Sequence, residues 1–231
     1  MTSLQHRRKA FRAVGGAAIF VFQDFTATTT GDLSITNPST DEVGNGWIGN
    51  DTVFDFQGDS TGVQCTSGAS NQAVSVETSG REDVEVTQEF VISRGTGNGR
   101  WNSMMVRGHT SAHTDSLKII FDGIASDPNL LINDEGSLIK TWDLSVLMST
   151  PPIDTDTVIL VMKCSGNDIT LYSMEVNGGG AEVIDDTFTL TGGAATNHGA
   201  GSGADWYGMH SHERVASSGE RFANFEVKEL V

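Results

Sequence analysis

Two apolar runs separated by a polar turn dominate the middle of the chain, over residues 158–177. The first run, residues 158–164, is apolar on both parities, which is typical of a strand that is covered on both faces. The second, residues 169–176, alternates until its apolar phase shifts near Ser173, and this shift predicts a β-bulge. The four residues between the runs, 165–168, are all turn formers. We therefore predict a β-hairpin in the buried middle of a sheet.

A second strand signal comes from strict alternation over residues 83–93. Apolar and polar side chains take turns there, so that one face of the strand is apolar and the other is acidic. This pattern predicts a half-buried strand whose acids lie on a solvated face. The two sets are Val84, Val86, Phe90 and Ile92 on the apolar face, and Asp83, Glu85, Thr87 and Glu89 on the acidic face.

The rest of the chain reads as short strands joined by turns rich in glycine, serine and aspartate. A glycine, alanine and serine loop is expected over residues 192–204, and no amphipathic helix is expected beyond the N-terminus. We predict an all-β chain with one domain at residues 17–231, preceded by a basic arm at residues 1–16. The further predicted strands are residues 19–25, 52–57, 63–66, 73–76, 101–109, 116–122, 130–133, 137–143, 187–191, 206–210 and 221–230.

Charge separates the arm from the domain. The arm contains Arg7, Arg8, Lys9 and Arg12, whereas residues 13–231 hold 10 Lys and Arg against 30 Asp and Glu. The acidic charge of residues 13–231 disfavours binding to nucleic acid and to anionic membranes. The four cations of the arm are too few to bind nucleic acid strongly on their own. The apolar stretch after the arm is too short to span a bilayer, and no small-x-small cleavage site follows it. We expect an uncleaved arm that docks on another protein or on a neighbouring copy.

Cys65 and Cys164 are the only cysteines. A disulfide between them stays open as an alternative, but we predict two buried thiols.

Five short stretches resemble the concanavalin A-like lectin/glucanase superfamily, in particular its laminin-G-like jelly rolls. The resemblance covers residues 19–230 and implies a two-sheet antiparallel jelly-roll sandwich in which the closing strand pairs beside the first. It also implies a choice of functions, because members bind glycans, cleave glycans, bind proteins or serve as building blocks. The stretches are residues 19–25 (IFVFQDF) with 31–33 (GDL), 104–108 (MMVRG), 162–177, 206–210 (WYGMH) and 222–227 (FANFEV).

Catalysis is not expected. Retaining glycan hydrolases need two carboxylates about 5 Å apart, and glucanases of the resembled superfamily place them in Glu-x-Asp-x-Glu. The nearest stretch here, Asp83 to Glu89, has the alternation but the wrong order and spacing.

No metal site is predicted either, although Ca²⁺ stays open because lectins of this superfamily often use it. The residues considered share no fixed ligand spacing. They are His109, His113, His210, His212 and Glu213 for a histidine site, and Asp122, Asp127 and Asp134 for calcium.

Glycan binding needs aromatic rings and planar polar groups near loop tips. Two clusters meet this condition: Arg100, Trp101 and Asn102 after a glycine-rich turn, and Asp205, Trp206 and Tyr207 after the glycine loop. We predict these six residues as the candidate glycan site.

The resembled fold usually works outside cells, yet the chain lacks a convincing export signal. Bacteriophage virion proteins satisfy both conditions, since lysis releases them. The leading hypothesis is therefore a non-enzymatic virion protein, such as a capsid decoration, head fibre or tail component. Its arm, through Arg7, Arg8, Lys9, Phe11 and Arg12, would hold the domain to virion proteins or to other copies, and the domain would bind host surface glycans weakly. The alternative is a free extracellular carbohydrate-binding module.

Overall fold

The computed structural model describes residues 17–25, 30–33, 46–49, 53–57, 62–66, 72–92, 102–110, 113–122, 127–211 and 221–231. These residues form two antiparallel sheets, which we call the larger and the smaller sheet. In the larger sheet the strand order is β14-β13-β12-β7-β16-β5-β4-β2, with β1 also pairing β16. Its strands are β1 Ile19–Gln23, β2 Thr30–Asp32, β4 Phe54–Gln57, β5 Val63–Cys65, β7 Val84–Val91, β12 Thr157–Ser165, β13 Asp168–Val176, β14 Ala181–Thr189 and β16 Arg221–Glu229.

The smaller sheet has the order β11-β10-β9-β8-β15-β6-β3. Four of its strands are consecutive in the chain, as the predicted meander requires. Closing strand β16 pairs with β1, from Ile19 opposite Lys228 to Gln23 opposite Phe225. The predicted antiparallel jelly-roll sandwich is confirmed. The strands of the smaller sheet are β3 Ile48–Gly49, β6 Gln72–Glu77, β8 Asn102–Gly108, β9 Leu117–Asp122, β10 Asn129–Asp134, β11 Ser137–Asp143 and β15 Trp206–Ser211.

The predicted hairpin is β12 and β13, joined by a turn at Gly166 and Asn167. Gly166 has φ +57°, a conformation that favours glycine. The pairing of β13 with β12 and with β14 skips Tyr172, next to Ser173, so the bulge is confirmed. Full cover on both faces of β12 is wrong. One face is buried in the core, but Ile159, Val161 and Lys163 are only half-buried, because they lie on the outer face of the larger sheet.

Strand β7 also departs from its prediction. Its apolar face lies in the core as expected, but only part of the other face is solvated: Asp83 is exposed and Glu85 is half-buried, whereas Thr87 and Glu89 are buried. Gln88 is buried on the core side, where its Nε2 donates to the carbonyl oxygens of Glu89 and Ala223. Alternation located this strand correctly, but it did not show that neighbouring side chains bury part of the acidic face too.

The core lies between the sheets, where aromatic pairs such as Phe90 and Phe121 meet edge to face at 5.2 Å between ring centroids. The outer face of the smaller sheet is also buried along its middle, at Met105, Ile120 and Leu131. Cys65 and Cys164 are free and buried, as predicted.

Two short helices interrupt the β pattern. Leu144–Leu147 is capped by Asp143, whose side chain accepts from the Ser145 backbone N–H at 3.0 Å. Gly192–His198 contradicts the loop expected over residues 192–204, although residues 199–205 remain a loop. Its sequence is a poor helix former, so packing of Ala194 and Ala195 against the core stabilises it. Neither helix, nor any other among the described residues, is long and apolar enough to cross a bilayer.

Candidate functional site

Loops converge on Arg107 at one end of the sandwich. The pairing of β8 with β15 slips between Met105 and Gly108, and Arg107 takes φ +53° at this irregularity. Its side chain is fully buried. Nη1 donates to the carbonyl oxygens of Gly166, at 2.7 Å, and His198, at 3.0 Å, and Nη2 lies 3.4 Å from the Asp83 carboxylate. One guanidinium therefore joins the hairpin turn, the end of helix Gly192–His198 and the segment that enters β7.

His198 completes this connection from the other side. Its Nδ1 lies 2.7 Å from the Arg107 carbonyl oxygen, and its Nε2 lies 3.2 Å from Asp134 Oδ1. A carbonyl oxygen can only accept, so Nδ1 carries the hydrogen of that bond. The His109 ring lies 5.8 Å from the His198 ring, and His109 Nε2 contacts the Asn197 carbonyl oxygen. The helix end is thus fixed against both β8 and β10.

Side chains with backbone partners shape the loop that follows the helix. Glu82 accepts from the backbone N–H groups of Gly201, at 2.7 Å, and Gly203. Asn167 Oδ1 accepts from the Ala200 N–H at 2.9 Å. A Cβ at Gly199 would lie 2.3 Å from Asn167 Oδ1, so glycine is required there. The loop is held in one place and can present its neighbours in a fixed geometry.

The loop cluster contains Asp205, Trp206 and Tyr207, but the three residues are not equivalent. The Asp205 carboxylate accepts from the Gly80 N–H at 2.5 Å and is nearly buried. Tyr207 is fully buried, its hydroxyl donates to the Glu82 carbonyl oxygen at 3.1 Å, and burial raises the pKa of this hydroxyl well above its usual range. Trp206 is half-buried and so keeps part of its surface open to solvent. A ligand can therefore reach only Trp206 without displacing the others.

The remaining predicted site residues are not placed by the structure. Arg100 and Trp101 lie outside the described residues, and only the backbone of Asn102 is described. The arm residues Arg7, Arg8, Lys9, Phe11 and Arg12 also lie outside the described residues.

Trp206 has polar neighbours on the outer face of the smaller sheet. It pairs with Glu77 of β6 on one side and with Gly108 of β8 on the other. Gly108 has no side chain, so nothing covers the indole from that residue, and Glu77 is exposed. An accessible indole with a carboxylate opposite it can stack on a sugar and bind its hydroxyl groups.

Sequence reasoning identified Trp206 but missed His198 and Asn197. Both lie in the glycine and alanine stretch that was expected to be a loop, where nothing in the pattern distinguishes them. His109 was considered only as a metal ligand.

The metal candidates are scattered. Within the described ranges no three His, Cys, Asp or Glu side chains are grouped to hold a metal ion. Of the candidates, His109 and Asp134 both lie near His198, and His210 is buried in β15. The His113 side chain, His212 and Glu213 lie outside the described set.

No family model and no curated protein matches the sequence. Among solved structures, the Ca²⁺-bound VIP36 exoplasmic/lumenal domain has a TM-score of 0.52 and 12% identity over 88% of this chain and 91% of that one. The Ca²⁺/Man3GlcNAc-bound form of that domain has a TM-score of 0.50 and 11% identity over 80% and 83%. A xylan β-1,4-xylosidase from Bacillus halodurans has a TM-score of 0.48 and 13% identity, and the match covers 72% of this chain but 31% of the xylosidase. The likeness to the VIP36 domain establishes the fold that this chain shares with it, a two-sheet jelly-roll β-sandwich.

Proposed function

We propose that this chain is a carbohydrate-binding domain whose ligand contacts Trp206. The observation that carries the proposal is the half-buried Trp206 indole, which a ligand can reach at the loop cluster and which has exposed Glu77 opposite it on the neighbouring strand. A structure of the VIP36 domain, which has the same fold, contains bound Man3GlcNAc. The indole would stack on the apolar face of a sugar ring, and Glu77 would bind its hydroxyl groups.

We propose binding without cleavage. The two acids nearest to a hydrolase pattern are already engaged with protein groups: Glu85 lies 2.8 Å from the Lys228 ammonium, and Glu89 accepts from Asn224. A nucleophile and an acid would have to be free to face a glycosidic bond. Turnover of oligosaccharides by the full chain, lost in Glu85→Gln or Glu89→Gln, would contradict this part of the proposal.

The sharp division of charge supports a finer proposal about where the domain works. Four cations lie in the first twelve residues, and the net charge of residues 13–231 is the difference between 10 basic and 30 acidic residues. We propose that the arm, residues 1–16, anchors the domain on the surface of a phage virion through virion proteins or further copies. A free extracellular carbohydrate-binding module is the alternative. Deletion of residues 1–16 should abolish attachment to the particle, and undiminished attachment would contradict this proposal.

Glycan-array binding followed by calorimetry tests the ligand site. We expect Trp206→Ala to weaken binding of any glycan that the full chain retains by about tenfold or more, since buried aromatic contacts carry much of the energy of such interfaces. Tyr172→Ala is the matched control, because Tyr172 is a half-buried aromatic residue of the larger sheet. Equal binding by both variants would place the ligand elsewhere.

A further inference from the structure

Trp206 and Glu77 place an aromatic ring and a carboxylate next to each other on the surface of the smaller sheet. The two residues are directly opposite on β15 and β6, so their Cβ atoms lie about 5 Å apart. Their chain neighbours Tyr207 and Val76 belong to the core, so both side chains lie on the outer face. Trp206 is half-buried and Glu77 is exposed. A ligand that contacts the indole is therefore within reach of the Glu77 carboxylate.

Further carboxylates make this end of the sandwich negatively charged. Asp205, the residue before Trp206, and Glu82 both accept from backbone N–H groups of nearby glycines. These donors carry no charge, so they do not neutralise the two carboxylates. Residues 13–231 as a whole hold 10 Lys and Arg against 30 Asp and Glu. A ligand at Trp206 therefore enters a negative electrostatic potential.

The basic side chains described at this end of the sandwich are engaged within the chain. The Arg81 guanidinium lies 5.1 Å from the centroid of the Phe20 ring, which belongs to β1 of the larger sheet. The Arg107 side chain is fully buried, and the His109 ring packs at 5.8 Å from the His198 ring. An acidic sugar at the indole would therefore meet a carboxylate without a cation to offset it, and such repulsion excludes ligands of the wrong charge.

We propose that the Trp206 site prefers sugars that carry a protonated amino group. An ammonium group is attracted to the face of an indole ring, and it forms charge-assisted hydrogen bonds with a carboxylate. Between Trp206 and Glu77 it would make both contacts at once, while an adjoining sugar ring stacks on the rest of the indole. Acetylation of the amine would remove the charge and with it both contacts. The inference rests on the proposed function, because it assigns a ligand class to the same site.

Calorimetry with a glucosamine oligosaccharide and its fully N-acetylated counterpart tests this preference at about pH 6, where a free amine is protonated. We expect the glucosamine oligosaccharide to bind about fivefold more tightly or better, the combined effect of an exposed ion pair and an exposed cation–π contact. Glu77→Gln should bring the two affinities to within about twofold, because glutamine still binds hydroxyl groups but carries no charge. The matched control, Asp185→Asn, removes one negative charge at an exposed position of edge strand β14 and should keep the preference.

Trp206→Ala separates a specific site from a general attraction of a cationic sugar to an acidic protein. It should abolish binding of the glucosamine oligosaccharide, and an oligosaccharide of galacturonic acid should not bind the full chain. The inference is overturned by retained binding in Trp206→Ala, by a preference that Glu77→Gln leaves intact, or by a full chain that does not bind the glucosamine oligosaccharide. Equal affinity of the full chain for the two oligosaccharides, lost in Trp206→Ala, would overturn the inference but support the proposed function, so the two can fail separately.

Discussion

The outer faces of the two sheets are buried to a similar degree, but the smaller sheet carries an apolar patch at its middle and the larger sheet a polar one. On the smaller sheet a buried apolar patch that includes Ile120, at 0%, and Leu131, at 3% exposed, lies beside the buried polar residues Lys118 and His210. On the larger sheet the central residues are polar, with Glu89 at 3%, Asn224 at 2% and Glu226 at 1% exposed. The middle of either outer face therefore leaves little side-chain surface exposed to solvent, but burial has different consequences for stability on the two faces.

Apolar side chains gain from burial without needing a particular partner, whereas a buried carboxylate must be hydrogen-bonded or paired. Glu89 meets this requirement through Asn224, and Glu226 meets it only in part. The outer face of the smaller sheet therefore stabilises the fold, while Glu226 costs stability.

The largest expected effect is on the smaller sheet. Ile120→Ala should lower the free energy of unfolding by about 3 kcal/mol, because it removes a fully buried side chain and leaves a cavity. Urea unfolding at neutral pH measures it. Leu138→Ala is the control on the edge strand of the same sheet, where 53% of Leu138 is exposed, and should cost about 0.5 kcal/mol or less. Similar costs at both positions would mean that burial on the outer face of the smaller sheet does not stabilise the fold.

Local pattern predicted the strands well because alternation and turn residues act over a few positions. The hairpin, its turn at Gly166 and the bulge beside Ser173 were all visible in residues 158–177. What covers the second face of a strand was not visible. Glu89 reads as a solvated acid, and the partner that makes its burial tolerable, Asn224, is 135 residues away.

The candidate site was predicted in part for the same reason. Trp206 and Tyr207 are both aromatic residues after a glycine-rich loop, and sequence alone could not say which one faces the core. His198 gave no signal at all, since its partners Arg107 and Asp134 are contributed by distant strands. Contacts that depend on register and long-range pairing are decided by the tertiary fold.

A smaller effect is expected when a polar contact on the larger sheet is broken. Asn224→Ala should lower the free energy of unfolding by about 2 kcal/mol at neutral pH, since it leaves the buried Glu89 carboxylate without its amide partner. Adding Glu89→Met should recover part of the loss, because the unpaired charge is then gone. If the double variant is no more stable than Asn224→Ala alone, desolvation of Glu89 is not the cause.

Glu226→Gln should change the free energy of unfolding by as much as Asn224→Ala or less, and in the opposite direction. Its effect should depend on pH. The pKa of Glu226 is about 6 in the folded protein, against an ordinary value of 4.5. Below pH 4.5 the carboxyl is protonated in both states. As pH rises from 4.5 to 6, the unfolded chain releases its proton first, so stability falls by up to about 2 kcal/mol and stays lower above pH 6.

Glutamine removes this loss, so Glu226→Gln should be more stable than the parent at pH 8 and equal to it at pH 4. Urea titrations at the two values measure the difference, and a gain of equal size at both would show that it does not come from ionisation.

The smallest expected effect is that of Lys163→Ala. It tests whether the burial of a polar contact, rather than the charge of its members, decides how much its loss lowers the free energy of unfolding. Lys163 lies on the same outer face as Glu89 and Glu226, but it is half-buried, and its ammonium lies 3.1 Å from the centroid of the Tyr172 ring. Cation–π contacts at such sites contribute about 0.5 kcal/mol, so Lys163→Ala should cost about that much. In a Tyr172→Ala background the same substitution should cost nothing further, and the coupling between the two positions can be measured by a double-mutant cycle. A coupling as large as 2 kcal/mol would make the half-buried contact between Lys163 and Tyr172 as stabilising as the buried contact between Asn224 and Glu89. Burial would then not decide how much a polar contact on the larger sheet contributes to stability.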